Sequence, residues 1–337
     1  MSTTSSGRIQ SREKHAFRRF FEQREMSLVL VVVGLFGLFS LLSNRFATGP
    51  TIGQIVTDMS IVVIVGVGEA LVLFTRNIDV SIGSMVGVTA FFAADFAAKN
   101  PTLPLVFVVL VSCLVGLLLG AINGALVATL KVPSIMVTLG TLYIYRGFDS
   151  ALAGSSQVTA QNLSPEYNKI ASWTFFGFPG IFIYALAIAA IAHVFIKYTY
   201  SGRSMLALGS NPLAAEKLGI PSKRWVFFAF AMSGVLCGFA GVLWGARYGT
   251  VDSSVATGFE LVVLAAVVVG GISVSGGNGS IPGVLVGAAI LSIISIGLGL
   301  VNVSQFWLQA IQGAVIIAAI VFDMLIRRRV QSRGAQS

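Results

Sequence analysis

Residues 105–128 read LVFVVLVSCLVGLLLGAINGALVA, an apolar run with no charged side chain and no proline. A bilayer core about 30 Å thick takes ~20 apolar residues in a helix, so this run is long enough to span it. Its apolar residues are continuous, without the period-two alternation of a membrane barrel strand. Working outward, similar runs occupy roughly 28–43, 55–74, 82–98, 134–150, 179–198, 225–246, 258–272, 281–301 and 305–326. The expectation is an all-α polytopic membrane protein of about ten transmembrane helices.

The composition agrees. Of the 337 residues, 55% are hydrophobic and 10% charged, against ~25% charged in an ordinary soluble domain. A chain this apolar is neither disordered nor a soluble enzyme. Cys113 and Cys237 sit inside apolar runs and read as inert packing. The formal charge of +9 is placed at the flanks, which points to a membrane surface rather than to nucleic acid. Basic residues gather in 1–26, at Arg76 and Lys131, between Lys197 and Arg224, and at Arg327, Arg328, Arg329 and Arg333. The opposite side receives Arg45, Lys99, Arg146, Lys169 and Arg247. By the positive-inside rule both termini are expected in the cytoplasm. The basic head is not expected to be a cleaved signal, because its apolar run continues without a small-residue cleavage site. The expected organisation is a basic cytoplasmic segment 1–26, a membrane domain 27–326 and a basic tail 327–337. Two connections are long enough to hold structure: an external one at 154–178 and a cytoplasmic one at 199–224.

No catalytic set is visible. The chain has no Gly-Lys pair and so no phosphate loop of the Gly-Lys-Ser/Thr type. His15 and His193 are its two histidines, too few for a metal cluster or a triad. Glu69, Asp79 and Glu260 stand in different segments without a repeated spacing. Glu69, within Gly66-Val67-Gly68-Glu69-Ala70, is an ionisable residue inside a span and must face the bundle interior or water. A place on a solute pathway and a hydrogen bond to another helix are both open for it. Asp79 reads either as part of that pathway or as a local turn cap. Gly116, Gly120, Gly124, Gly234, Gly238 and Gly241 read as close helix packing. A weak internal similarity pairs Ile78-Asp79-Val80-Ser81 with Ile272-Ser273-Val274-Ser275, each in a Gly-interrupted turn. Irregular backbone of this kind is tolerated where it is buried or lines a cavity.

The loop 199–224 carries the sharpest local signal. Asn211 can cap a helix, Pro212 suits its first turn, and Gly219 can end it after Leu213-Ala214-Ala215-Glu216-Lys217-Leu218. A helix so short is marginal alone and is expected to dock on a partner, with Ala214 and Ala215 small enough for close approach.

These residues resemble a known family. The stretch 213–219 looks like the Glu-Ala-Ala-three-residues-Gly coupling loop of bacterial ATP-binding-cassette (ABC) importer permeases, with Leu213 in the usual Glu place. Thr75-Arg76-Asn77-Ile78-Asp79-Val80-Ser81-Ile82-Gly83-Ser84 is similar to the inner-turn signature of ribose-type, monosaccharide permeases. So are Asn123-Gly124, Lys131-Val132-Pro133-Ser134, Thr138-Leu139-Gly140-Thr141, Arg146-Gly147 and the run from Gly270 to Gly277, in matching order over about 55–325. The turn looks closest to permeases for autoinducer-2 and for rhamnose. The resemblance implies a transport subunit of the bacterial inner membrane with no cofactor and no catalytic residue of its own. ATP would be hydrolysed by cytoplasmic ABC ATPase subunits. A second permease subunit, alike or related, and an extracytoplasmic sugar-binding protein would complete the assembly. Asn211, Ala214, Ala215, Glu216 and Gly219 would couple to the ATPase. Glu69, Asp79, Ser81, Asn123, Thr138 and Ser275 are the candidate pathway groups, and Thr141, Asn302, Gln305 and Gln309 offer further neutral polar partners. The rival is an ion-coupled secondary transporter using Glu69 and Asp79.

Overall fold

A computed structural model of the chain describes residues 24–304 and, beyond them, Trp307, Ala310, Ile311, Gly313, Ala314 and Ile317. Most of the basic head, the basic tail, His15, Gln305, Gln309 and most of the expected span 305–326 lie outside the described residues. The helices in chain order are α1 (Arg24–Leu42), α2 (Gly49–Phe74), α3 (Ile82–Lys99), α4 (Leu105–Leu130), α5 (Ser134–Ala153), α6 (Pro165–Ser172), α7 (Gly180–Tyr198), α8 (Tyr200–Ser210), α9 (Pro212–Lys217), α10 (Ser222–Tyr248), α11 (Phe259–Val269) and α12 (Ile281–Leu300).

Six of these, α2, α3, α4, α7, α10 and α12, are long and apolar enough to cross a membrane. That is fewer than the ten runs expected. The apolar part of α1, Leu28–Leu42, is short. Helix α5 has 20 residues but carries Arg146 and Asp149. The run 258–272 is corrected most: α11 has 11 residues, about 16 Å of helix, roughly half a bilayer core. Gly258 (φ 79°) before it and Gly271 (φ 98°) after it fix both ends.

Burial separates centre from rim. The apolar stretch of α2 is 83% buried, that of α4 22%. Helix α2 therefore stands at the centre, while α4 turns Leu110, Leu114, Leu118 and Ile122 outward. The most extensive helix pair is α4 with α10. It is built on facing glycines: a Cβ at Gly116 would run into the Gly234 carbonyl, and one at Gly234 into that of Gly116. Backbone meets backbone along this crossing, as the small-residue spacing led one to expect.

At one end of the bundle the connection 154–178 folds over the helices. Strand β1 (Val158–Thr159) pairs antiparallel with β4 (Thr250–Val251), in register Val158 with Val251. Helix α6 is capped by Ser164, whose hydroxyl accepts from the Tyr167 N–H (3.3 Å), and it buries Tyr167. Strands β2 (Thr174–Phe175) and β3 (Phe178–Pro179) form a hairpin leading into α7. The opposite end carries α8, α9 and the two turns at 75–81 and 270–280.

Candidate functional site

Both turns begin alike. The Asn77 N–H reaches back to the Val72 carbonyl (3.2 Å) and the Arg76 N–H to that of Leu73 (2.9 Å). In the second, the Ile272 N–H reaches Val267 (3.1 Å) and the Gly271 N–H reaches Val268 (3.0 Å). This is the Schellman closure, with its left-handed residue at Arg76 (φ 64°) and Gly271. The internal similarity is thus real in the backbone, but its register differs. The hydrogen bonds pair Asn77 with Ile272, whereas the sequence paired Ile78 with Ile272.

The first turn is then locked by side chains. The Asp79 N–H donates to Glu69 Oε1 (3.2 Å). The Ser81 N–H and hydroxyl donate to Asp79 Oδ1 (2.9 and 2.6 Å). Asn123 Nδ2 on α4 donates to Ser81 Oγ (2.8 Å). The Tyr145 hydroxyl on α5 sits 2.8 Å from the Leu119 carbonyl and 3.2 Å from Asn123 Oδ1. Glu69, Asp79, Ser81, Asn123 and Tyr145 are all buried. Thr138 joins the edge: its hydroxyl lies 2.9 Å from the Ser134 carbonyl and 3.4 Å from that of Ile78, and the Ile78 N–H donates to Ser134 Oγ (3.0 Å). Five of the six expected pathway residues therefore meet at one turn, joining α2, α4 and α5. Glu69 Oε2 and Asp79 Oδ2 accept no hydrogen bond from the described residues.

Ser275 stands apart, in the second turn, where its N–H donates to Ser273 Oγ (3.1 Å). That turn is held by close backbone contact. Gly276 lies against the Cα and Cβ of Arg76, and Gly277 against Ser210 at the end of α8. The Gly277 N–H donates to the Phe74 carbonyl (3.3 Å), and Ser210 Oγ to the Gly277 carbonyl (3.2 Å). A Cβ at Gly209 would run into the Phe74 carbonyl and the Gly277 nitrogen. The end of α8, the end of α2 and the second turn thus form one three-way junction. Helix α8 itself was not expected from sequence; its cap, Thr199 accepting from Gly202 (3.0 Å), was the readable sign.

From this junction hangs α9. Asn211 Oδ1 accepts from the Ala214 N–H (3.0 Å), as its cap position predicts. At the other end the Ile220 N–H reaches Ala215 and the Gly219 N–H reaches Glu216, both 3.0 Å, with Gly219 at φ 75°. A β-carbon there costs roughly 1–2 kcal/mol. Glu216 is exposed, as is Ala214. One expectation is corrected: Ala215 is only 2% exposed and packs into its own chain. The large apolar side chains turned outward are Leu213 (75%) on this six-residue helix and Leu218 (78%) at its C-cap.

A second polar clamp, part-buried and missed from sequence, holds the start of α11. Arg146 Nη1 donates to the Val255 carbonyl (2.6 Å) and Nη2 to that of Ala256 (3.2 Å), with Asp149 at 3.6 Å. Glu260 lies over Gly83. Asp58 is a further missed group, receiving Ser292 (2.9 Å) and Tyr248 (3.2 Å) hydroxyls. No group of three metal-ligating side chains occurs among the described residues.

Residues 51–320 match the family described as the branched-chain amino acid transport system permease component. The chain belongs to this permease family. It is similar to the autoinducer 2 import system permease protein LsrC of Photorhabdus luminescens, 32% identical over 317 residues covering 93% of each chain. The protein of the same name from Escherichia coli O9:H4 is 34% identical over 304 residues, covering 90% of this chain and 88% of its own. No solved structure matches. The chain is accordingly a multi-helix inner-membrane permease, a transport subunit of the ABC-importer class.

Proposed function

We propose that this permease carries a small neutral sugar-like solute, of the class named by its autoinducer 2 relatives, into a bacterial cell. It does so with a second permease subunit, two cytoplasmic ATPases and an extracytoplasmic binding protein. Energy enters through α9, and the observation that carries this is its seating. A short helix capped at both ends exposes Leu213 and Leu218 while its root rests on the junction of Gly209, Phe74 and Gly277. Displacing α9 must move the ends of α2 and of the second turn, because no deformable side chain separates them. Glu69, Asp79, Ser81, Asn123 and Thr138 hold the first turn at the mouth of the pathway; Asn211 and Gly219 fix the coupling helix that Ala214, Ala215 and Glu216 belong to. Both termini and this end of the bundle lie in the cytoplasm, with α1, α5, the half-length α11 and the expected span 305–326 bringing the six long helices to ten crossings. The ion-coupled alternative draws no support from relatives that belong to import systems with permease subunits.

The test is uptake by the complete importer in proteoliposomes, with labelled autoinducer 2, ribose, rhamnose and leucine compared. ATP-dependent uptake of a sugar-like solute and none of leucine is expected. Uptake of leucine alone, or uptake driven by an ion gradient without ATP, would refute the reading.

A further inference from the structure

A cleft of about 420 Å³ opens between the feet of α5 and α10, beside the first turn. Arg76, Lys131 and Lys223 line it with Asn77, Ser134 and Ser222, and no carboxylate among the described residues does. The ion pairs among the described residues are Lys99–Asp95 and Arg146–Asp149, so these three cations have no acidic partner there. Like charges gathered round one cleft repel, and an anion between them removes that cost. Two of the three are also held in unfavourable backbone: Arg76 at φ 64° and Lys131 at φ 55°. Such strain in residues other than glycine gathers at functional places. Helices α5 and α10 both begin at this cleft behind a proline, Pro133 and Pro221, and neither has a side-chain cap. Their first N–H groups and the positive ends of their dipoles add to the field.

Guanidinium, ammonium and amide donors together suit a phosphate. The surroundings say which phosphate. Ile135, which lines the cleft, and Leu130 and Met136, next in sequence to the lining residues Lys131 and Ile135, are 45%, 62% and 65% exposed apolar groups at the end of α4 and the start of α5. A soluble ion has no use for that apolar strip, whereas acyl chains do. We propose that the cleft binds the phosphate of an anionic phospholipid, with the acyl chains along α4 and α5. Occupancy would brace the Arg76 turn from outside. The choice of an inner-leaflet lipid rests on reading this end as cytoplasmic, where anionic headgroups meet basic segments.

The full chain in detergent, mixed with phosphatidylglycerol or phosphatidylcholine, is examined by native mass spectrometry for retained lipid. This readout needs no ATP, partner or membrane sidedness, so its failure is distinct from failure of the transport reading. The Lys131→Asn, Lys223→Gln double variant keeps a residue tolerant of the left-handed backbone at 131. It should lose phosphatidylglycerol retention by about tenfold or more, with phosphatidylcholine weak throughout. Arg224→Gln, on the same surface but outside the cleft, should match the wild type. Equal phosphatidylglycerol retention in the double variant would overturn the site. Retention of radiolabelled inorganic phosphate in place of the lipid would overturn the lipid assignment. So would loss of ATPase association in the double variant with lipid binding intact.

Discussion

The turns at 75–81 and 270–280 close their preceding helices with the same pair of backbone hydrogen bonds, yet they are held in opposite ways. The first is stapled by buried side chains from three helices. The second is held by glycines pressed against other backbone and by hydrogen bonds of Gly277 to the Phe74 carbonyl and from the Ser210 hydroxyl. A polar staple resists displacement because moving any member leaves a buried partner unsatisfied. Glycine contacts transmit displacement because nothing between them yields. The difference teaches how the proposed coupling would work: the first turn would serve as an anchor and the second as a lever on which α8 and α9 press.

The largest break in that contrast is expected at the lever. Gly209→Val places a side chain where the Phe74 carbonyl stands, with an overpacking cost of ~3 kcal/mol. Uptake should be abolished and α9 should become protease-sensitive in the purified permease. A variant with normal uptake would show that the three-way junction carries no force.

The anchor should give the next effect. Asp79→Ala strips the acceptor from the Ser81 N–H and hydroxyl, costing about 1–3 kcal/mol. Thermal stability and uptake should both fall while ATPase still copurifies, and Asp79→Asn, which keeps an acceptor oxygen, should recover most of both. Equal loss in Ala and Asn variants would instead assign Asp79 a role that needs its charge. The smallest effect is expected at Ser275, whose side chain is remote from the staple. Ser275→Ala should change stability by no more than ~0.5 kcal/mol and leave uptake near wild type; a large loss would place Ser275 with the pathway residues after all.

Much of this contrast was legible in the residues. Asn211 and Gly219 bounded α9 correctly, because caps are local chemistry. The glycine runs foretold close helix packing, because only small residues permit it, but not which helices meet: Gly116 and Gly234 face each other across α4 and α10, whereas Gly241 faces Thr89 and Ala90 on α3. Other features were not legible, since apolar runs report depth but not facing. Nothing in Leu213-Ala214-Ala215 tells that Ala215 turns inward and Leu213 outward. The run 258–272 hid a half-length helix, because the left-handed Gly258 and Gly271 that bound it are as apolar as a span. The turn similarity was visible, but its register is set by carbonyl closure and not by the shared Ile and Ser residues. Arg146 was recognised as part of a motif, while its carbonyl targets, Val255 and Ala256, lie over a hundred positions away.

Leu213 and Leu218 offer the most direct test of the claim that energy enters through α9. Both are largely exposed, so replacing them with serine should leave the melting temperature of the isolated permease within the ~0.5 kcal/mol expected of surface changes. ATPase co-elution and ATP-dependent uptake in proteoliposomes are then measured on the Leu213→Ser, Leu218→Ser permease. Both should drop by about tenfold or more, as loss of central apolar contacts does. Wild-type co-elution together with wild-type uptake would contradict the assignment of α9 as the coupling helix.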